Sequence, residues 1–285
     1  MVIATCRRVT LVAPGSDERK ARKALDSAVD EVVLDLEDAV TAGRKDEVRE
    51  SVAELVGEYG PRRPVSVRVN GPDTRWFGRD LSALSEVADA LASIVIPKVE
   101  STADLEAADR ILDKAGSPDM RLQALVETPA GIHNADRIAC CPRIEAVIIG
   151  YADLGAVLGR SPEAPPEQWL YVQDRVLHAA RAAGVQAIDG PFLGITDGPA
   201  FHRACRWAAD LGFDGKWVVH PAQVGTALEL FTPSVEQVHF ARRVLSALEH
   251  AEEQGVGAVQ LDGRMLDEAL AVAARRTLTK IGARR

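Results

Sequence analysis

The sequence predicts an α/β fold, a (β/α)8 TIM barrel with a C-terminal helical extension. Three observations carry that prediction. Eight short apolar, β-branched runs recur between Val9 and Pro221, and segments with helical spacing separate them. The runs are nearly all apolar rather than alternating, as expected of parallel strands buried on both faces. Beyond Pro221 the pattern turns helical. In chain order the runs are "VTLVAP" from Val9, "EVVLDLED" from Glu31, "VSVRVN" from Val65 and "ASIVIPK" from Ala92. They continue with "RLQALVET" from Arg121, "AVIIGYAD" from Ala146, "QAIDGP" from Gln186 and "GKWVVHP" from Gly215. Helical spacing appears in "SDERKARKALDSAV", "DEVRESVAELVGEY", "DLSALSEVADAL", "TADLEAADRILDKAG" and "AFHRACRWAADLG". A doubly wound open sheet is the competitor. It calls for a Gly-rich first turn, and "APGSDERK" is not G-x-G-x-x-G. No repeat is self-similar, which argues against a solenoid.

The expected organisation is a catalytic barrel over residues 1–221 and a helical extension over 222–285. In the extension, "PSVEQVHFARRVLSALEHAEEQG" reads as a long amphipathic helix and "LDEALAVAARRTLTKIG" as a terminal one. Between them, "AVQLDGRM" reads as a hairpin turning at Asp262-Gly263. A tail of this kind is expected to pack on a neighbouring subunit.

A chain of 285 residues, 47% apolar and 27% charged, builds a sizeable core easily. Its net charge of −8 excludes the basic footprint of a nucleic-acid binder. Cys6, Cys140, Cys141 and Cys205 form no C-x-x-C pair and read as reduced thiols of a cytoplasmic protein. The start, "MVIATCRRVTLVAPG", lacks the long apolar stretch of a signal peptide. No stretch approaches the ~20 apolar residues of a membrane helix.

Chemistry in such barrels sits at the C-terminal ends of the strands. There the sequence offers Asp35, Glu37 and Asp38, then Arg68 and Asn70, then Lys98 and Glu100. Glu127, Asp153, Asp189 and His220 follow on strands five to eight. Glu127 and Asp153 are expected from adjacent strand ends, where two carboxylates suit one hard dication. Arg68, flanked by Val67 and Val69, is expected to point into the barrel, toward Asp35, Glu37 or a substrate carboxylate. Asp35 and Glu37 share a strand face, and two acids so close require a proton, a cation or an Arg. Asp38 is expected as a helix N-cap and Asp267 as a helix-start acid. His220 has no second His at metal spacing and reads as structural. No G-x-S-x-G, Walker loop or H-E-x-x-H occurs.

With these residues in place, the chain resembles the citrate lyase beta subunit-like group of the HpcH/HpaI aldolase family. The carrying segments are "APGSDERKARKAL", "VVLDLEDAV", "VSVRVNGPDTRWFGRDL", "IVIPKVES", "ALVETPAGI", "AIDGPF", "LGFDGKWVVHPAQV" and "LDGRMLDEA", in that order along nearly the whole chain. The resemblance implies a Mg2+-dependent carbon–carbon lyase, of the oxo-acid-lyase type, acting on citryl-, malyl- or citramalyl-CoA thioesters. It implies Glu127 and Asp153 as metal ligands, with Glu127 also facing substrate. Arg68 would hold the oxoacid carboxylate, and Glu37 would support water and metal. Asp267 would be the acid that relatives place over a neighbour's site, for proton transfer at the α-carbon. Lys20 would meet the CoA phosphates. A homotrimer or hexamer is the implied assembly. One departure stands out: many relatives have Glu-Asp-Leu where this chain has Ala152-Asp153-Leu154, which bears on substrate identity more than on the metal. Rival readings are thioester hydrolysis in the same pocket, an aldolase for free hydroxyacids, and a non-catalytic subunit dependent on partner chains.

Overall fold

The computed structural model describes residues 6–161, 164–255 and 259–282. Eight parallel strands pair in sequence order: β1 (Val9–Pro14), β2 (Glu31–Asp35), β3 (Val65–Arg68), β4 (Ser93–Ile96), β5 (Leu122–Val126), β6 (Ile144–Ile149), β7 (Gln186–Asp189) and β8 (Gly215–Val218). Strand β8 closes on β1, with Thr10 opposite Trp217. All eight apolar runs are therefore strands of one barrel.

Side chains alternate along a strand, so every second residue points inward. The inward positions form three layers. At the base, Glu31 of β2 accepts from Arg7, Ser66 and Gln123. In the middle, Val33, Val95, Leu125, Ala146, Ile148, Ile188 and Trp217 form an apolar cluster of their own. At the top the same alternation delivers Asp35, Arg68 and Glu127. Burial beneath them is complete enough to keep the interior a packed core rather than a channel.

The outward positions pack against helices α1 (Glu18–Leu25), α2 (Lys45–Tyr59), α3 (Phe77–Ser85), α4 (Thr102–Lys114), α5 (Pro129–His133), α6 (Ala135–Ala139), α7 (Tyr151–Leu158), α8 (Leu170–Ala183), α9 (Pro199–Leu211) and α10 (Val224–Phe231). Four of these, α5 to α8, follow β5 and β6, where helical spacing was not evident in the sequence. Helix α10 packs on β1 and β8 and contributes Ala227 and Phe231 to the main core, so the outer ring closes beyond residue 221.

The tail is α11 (Val235–Glu253), a hairpin of β9 (Val259–Leu261) and β10 (Arg264–Leu266), and α12 (Glu268–Thr279). Ser234 and Gln237 form a capping box at the start of α11. The hairpin turns where the sequence places it. Asp262 and Gly263 both take positive φ, +48° and +76°, as a tight two-residue turn requires. Ala241, Val244, Leu266 and Ala274 give the tail a small apolar cluster separate from the barrel core. Its far end reaches the N-terminal face of the barrel, where Lys280 Nζ donates to the Phe213 carbonyl and Cys6 Sγ to that of Lys280. No helix among the described residues is long and apolar enough to cross a membrane.

Candidate active site

Strand β2 ends at Asp35, and the chain then turns across the barrel mouth. The Asp35 carboxylate accepts from the backbone N–H of Glu37 at 2.9 Å and of Ala39 at 3.1 Å, which fixes that turn. The buried Lys45 donates to the carbonyls of Leu36 and Glu37 from the other side. Glu37 is thereby held over the opening. Asp38 does not cap a helix. It is largely exposed, 3.6 Å from Arg68 Nη2, and α2 starts only at Lys45 because the turn over the rim uses the intervening residues.

Arg68 does point into the barrel. Its Nε and Nη2 each donate at 2.7 Å to the two oxygens of Asp35. Nη1 lies 3.1 Å from Glu37 Oε2. The bidentate partner is thus Asp35, and the guanidinium is a clamped charge. Burial alone would raise the Asp35 carboxyl, but the Arg68 charge and hydrogen bonds outweigh it and hold it below the ordinary range. Burial lifts Glu37 above that range, against the pull of Arg68 and Lys98.

Glu127 follows β5 and is buried. Its Oε1 accepts from the Lys98 backbone N–H at 3.0 Å. Burial first, and then the Glu37 charge, push its carboxyl up to about 8. Asp153 is not on a strand. It lies in the first turn of α7, half-exposed, after Gly150 has ended β6. Gly150 is needed there: a Cβ would stand 2.3 Å from Glu127 Oε2 and 2.5 Å from Glu127 Cβ.

Lys98 ties the acids together. It takes φ +52°, a left-handed conformation costing a side chain about 1 kcal/mol. Its Nζ donates to Glu37 Oε1 and lies 4.0 Å from Glu127 Oε1 and 3.8 Å from Asp153 Oδ2. Burial opposes its charge, yet Glu37, with Glu127 and Asp153 behind it, holds the ammonium above its ordinary range. Sequence reasoning places Lys98 on the rim but gives it no role. Its backbone conformation has no sequence signature, although "IPK" at a strand end was the available signal.

Other residues at the strand ends turn elsewhere. Asn70 bonds to Asp80 through its backbone N–H and side-chain amide. Asp189 faces the helix layer, paired with Lys216 and hydrogen-bonded by Tyr151. His220 Nδ1 accepts from the Ala222 N–H and caps a turn. Lys20 lies beside a cavity of about 420 Å³ between α1 and the ends of β1 and β8, lined also by Arg19, Lys23 and Val219. Asp267 caps α12 through Leu270 N–H at 3.0 Å, and no hydrogen bond or ion pair among the described residues joins it to this rim. Among the described residues no three His, Cys, Asp or Glu gather as a metal cage. Glu127 and Asp153 are two carboxylates of this rim that could hold a hard dication.

Known proteins are similar to this chain in sequence and, for one crystal structure, in fold. A (3S)-malyl-CoA thioesterase of Cereibacter sphaeroides is 38% identical over 96% of this chain and 94% of its own. An L-malyl-CoA/beta-methylmalyl-CoA lyase of the same species is 34% identical, covering 91% and 90%. The crystal structure of the protein CitE from Mycobacterium tuberculosis, in complex with magnesium, acetoacetate and coenzyme A, superposes with a TM-score of 0.74 at 30% identity. That match covers 98% of this chain and 99% of CitE. The family model for HpcH/HpaI aldolase/citrate lyase matches residues 8–221, from the first strand to the turn after the eighth. With its charged rim on a closed eight-stranded barrel, this chain belongs to the HpcH/HpaI aldolase/citrate lyase family.

Proposed function

We propose that the chain is a Mg2+-dependent carbon–carbon lyase for 3-hydroxyacyl-CoA thioesters of the malyl-CoA class, releasing an acyl-CoA and a 2-oxoacid. The observation that carries this reading is the convergence of Glu127, Asp153, Arg68 and Lys98 on one barrel mouth. Such a mouth suits a small oxoacid with its charge opposed by fixed cations. The lyase name of the relative at 34% identity supports it.

The residues fit a dication. Glu127 is buried, and its carboxyl is pushed up to about 8 by burial first and then by the Glu37 charge, against the pull of Lys98 and Arg68. Glu37 Oε2 is buried and makes no hydrogen bond, although Arg68 Nη1 stands 3.1 Å away as an ion-pair partner. Glu127 and Asp153 would hold the ion, whose chemistry there is Lewis-acid polarisation of the oxoacid oxygens. In cleavage the carbinol O–H loses its proton and the C2–C3 electron pair passes to the thioester as an enolate. C2 then takes up a proton. Arg68, clamped by Asp35, opposes the oxoacid carboxylate without reorganising during the reaction. Glu37 takes the carbinol proton through a water. Asp267 of a neighbouring subunit delivers the proton to C2. The basic cavity beside Lys20 receives the CoA phosphates. The tail over 222–285 then packs on that neighbour in a homo-oligomer.

Thioester hydrolysis is the second reading, favoured by the thioesterase name of the relative at 38% identity. Water would add to the thioester carbonyl and the C–S bond would break. Incubating the protein with Mg2+ and a panel of 3-hydroxyacyl-CoAs, with products identified by mass, separates the two. Acyl-CoA plus 2-oxoacid is the expected result. Free CoA with an intact hydroxyacid selects hydrolysis, and no turnover of any thioester overturns both.

A further inference from the structure

We propose that Lys98 is an internal counter-ion of the cation site: its ammonium stands in for the dication and competes with it, so that it sets the protein's metal affinity. The inference deepens the metal-site reading above and rests on it. Three observations carry it.

The first is position. Within 4.0 Å of one ammonium lie carboxylate oxygens of Glu37, Glu127 and Asp153. Two of these are the acids assigned to the metal. A dication shared by them meets a full positive charge at the same oxygens.

The second is construction. Lys98 and Asp262 are the only non-glycine residues with positive φ among those described, and Asp262 sits in a hairpin turn beside a glycine. Lys98 has no such excuse. Its left-handed backbone sends the N–H to Glu127 Oε1 while the side chain goes to Glu37. One residue thus holds the ligand acid with its main chain and neutralises the cluster with its side chain. Strain of this sort persists only where surroundings over-determine it.

The third is freedom to yield. The Lys98 side chain is 35% exposed, whereas those of Glu37 and Glu127 are 9% and 3% exposed. Glu37 and Glu127 are enclosed, whereas the ammonium has room to withdraw toward the mouth. Its hydrogen bond to Glu37 gives it a place to remain when Glu127 and Asp153 take the ion.

The test is Mn2+ binding to the unliganded full chain by titration calorimetry, for the wild type, Lys98→Met, Lys98→Gln and Lys98→Arg. Removing one positive charge about 4 Å from a divalent site should tighten Mn2+ binding at least about tenfold. Both neutral variants should show this, and Lys98→Arg should stay near wild type. A purely structural lysine predicts the reverse, since its loss would loosen the site. If the wild type binds Mn2+ and a neutral variant, folded by circular dichroism, binds it no more tightly, the counter-ion role is wrong while the metal site stands. If no protein binds Mn2+, the metal site falls and this inference falls with it.

Discussion

Glu127 shows how burial sets the chemistry of one side chain. Its carboxyl is pushed up to about 8, chiefly by desolvation, while the unfolded chain has the ordinary value near 4.5. Between those values the folded state binds the extra proton, so stability falls as pH rises. The full contribution is present below about 4.5 and is lost through about 8, at about 1.4 kcal/mol per pH unit. Urea unfolding of the metal-free protein should therefore lose stability from pH 5 to 8 more steeply in wild type than in Glu127→Gln. Parallel curves would remove the basis for a protonated Glu127. Arg68 poses the opposite problem. Its partner Asp35 is buried and ionised, so Arg68→Ala should destabilise by about 3–5 kcal/mol in chemical denaturation, because a buried charge loses its counter-charge. Restoration by adding Asp35→Asn would attribute the loss to that pair. The Arg68 orientation was legible from its valine neighbours. Its engagement with Asp35 rather than with Glu37 alone was not, because period-two reasoning puts both acids on one face without saying which comes within reach.

At the scale of elements, the strands were the legible part. Eight apolar runs with β-branched residues allow little else, and burial on both faces writes itself into composition. The helices after β5 and β6 were harder. Helices α5 and α6 have only five residues each, too short to show a period. Helix α7 contains Gly155 and ends on Gly159 as its C-cap, which blurs its signal and hid the fact that Asp153 is helical. The β6–α7 junction matters for function all the same. Gly150 allows the chain to pass against Glu127, and a methyl there meets not only the Glu127 carboxylate but also the Glu127 Cβ at 2.5 Å. A side-chain rotation relieves the first contact and not the second. Gly150→Ala should fold, as judged by circular dichroism, yet lose about 10²-fold in turnover, the scale of a displacement of about 1 Å at a reacting group. Retention of full activity would mean that Glu127 tolerates displacement and is no metal ligand.

On the scale of the whole molecule, the position of Asp267 decides how many chains make one site. Its carboxylate caps α12, and the other end of that helix is tied to the N-terminal face of its own barrel through Lys280, Phe213 and Cys6. The helix spans about 18 Å at 1.5 Å per residue. The acids of the mouth stand at the opposite end of the strands. No hydrogen bond or ion pair among the described residues joins Asp267 to the mouth of its own barrel, and in the proposed mechanism it acts at the mouth of another copy. Met265, two residues earlier, is 74% exposed, as a contact residue of a tail meeting a neighbour should be. Such an arrangement separates the site into two halves, mouth and tail, carried by different protomers. Glu127→Gln should inactivate the mouth of its own chain, and Asp267→Asn should inactivate the tail it offers. Neither variant alone should turn over substrate. Mixed in equal amounts with subunit exchange, some interfaces join an intact mouth to an intact tail. Random pairing gives about a quarter of the sites that combination, so the mixture should recover about a quarter of wild-type turnover. An Asp267 working within its own chain predicts no recovery, because every chain would still lack one half. Full activity of Asp267→Asn alone would instead return the residue to its capping role and leave the α-carbon proton to another group.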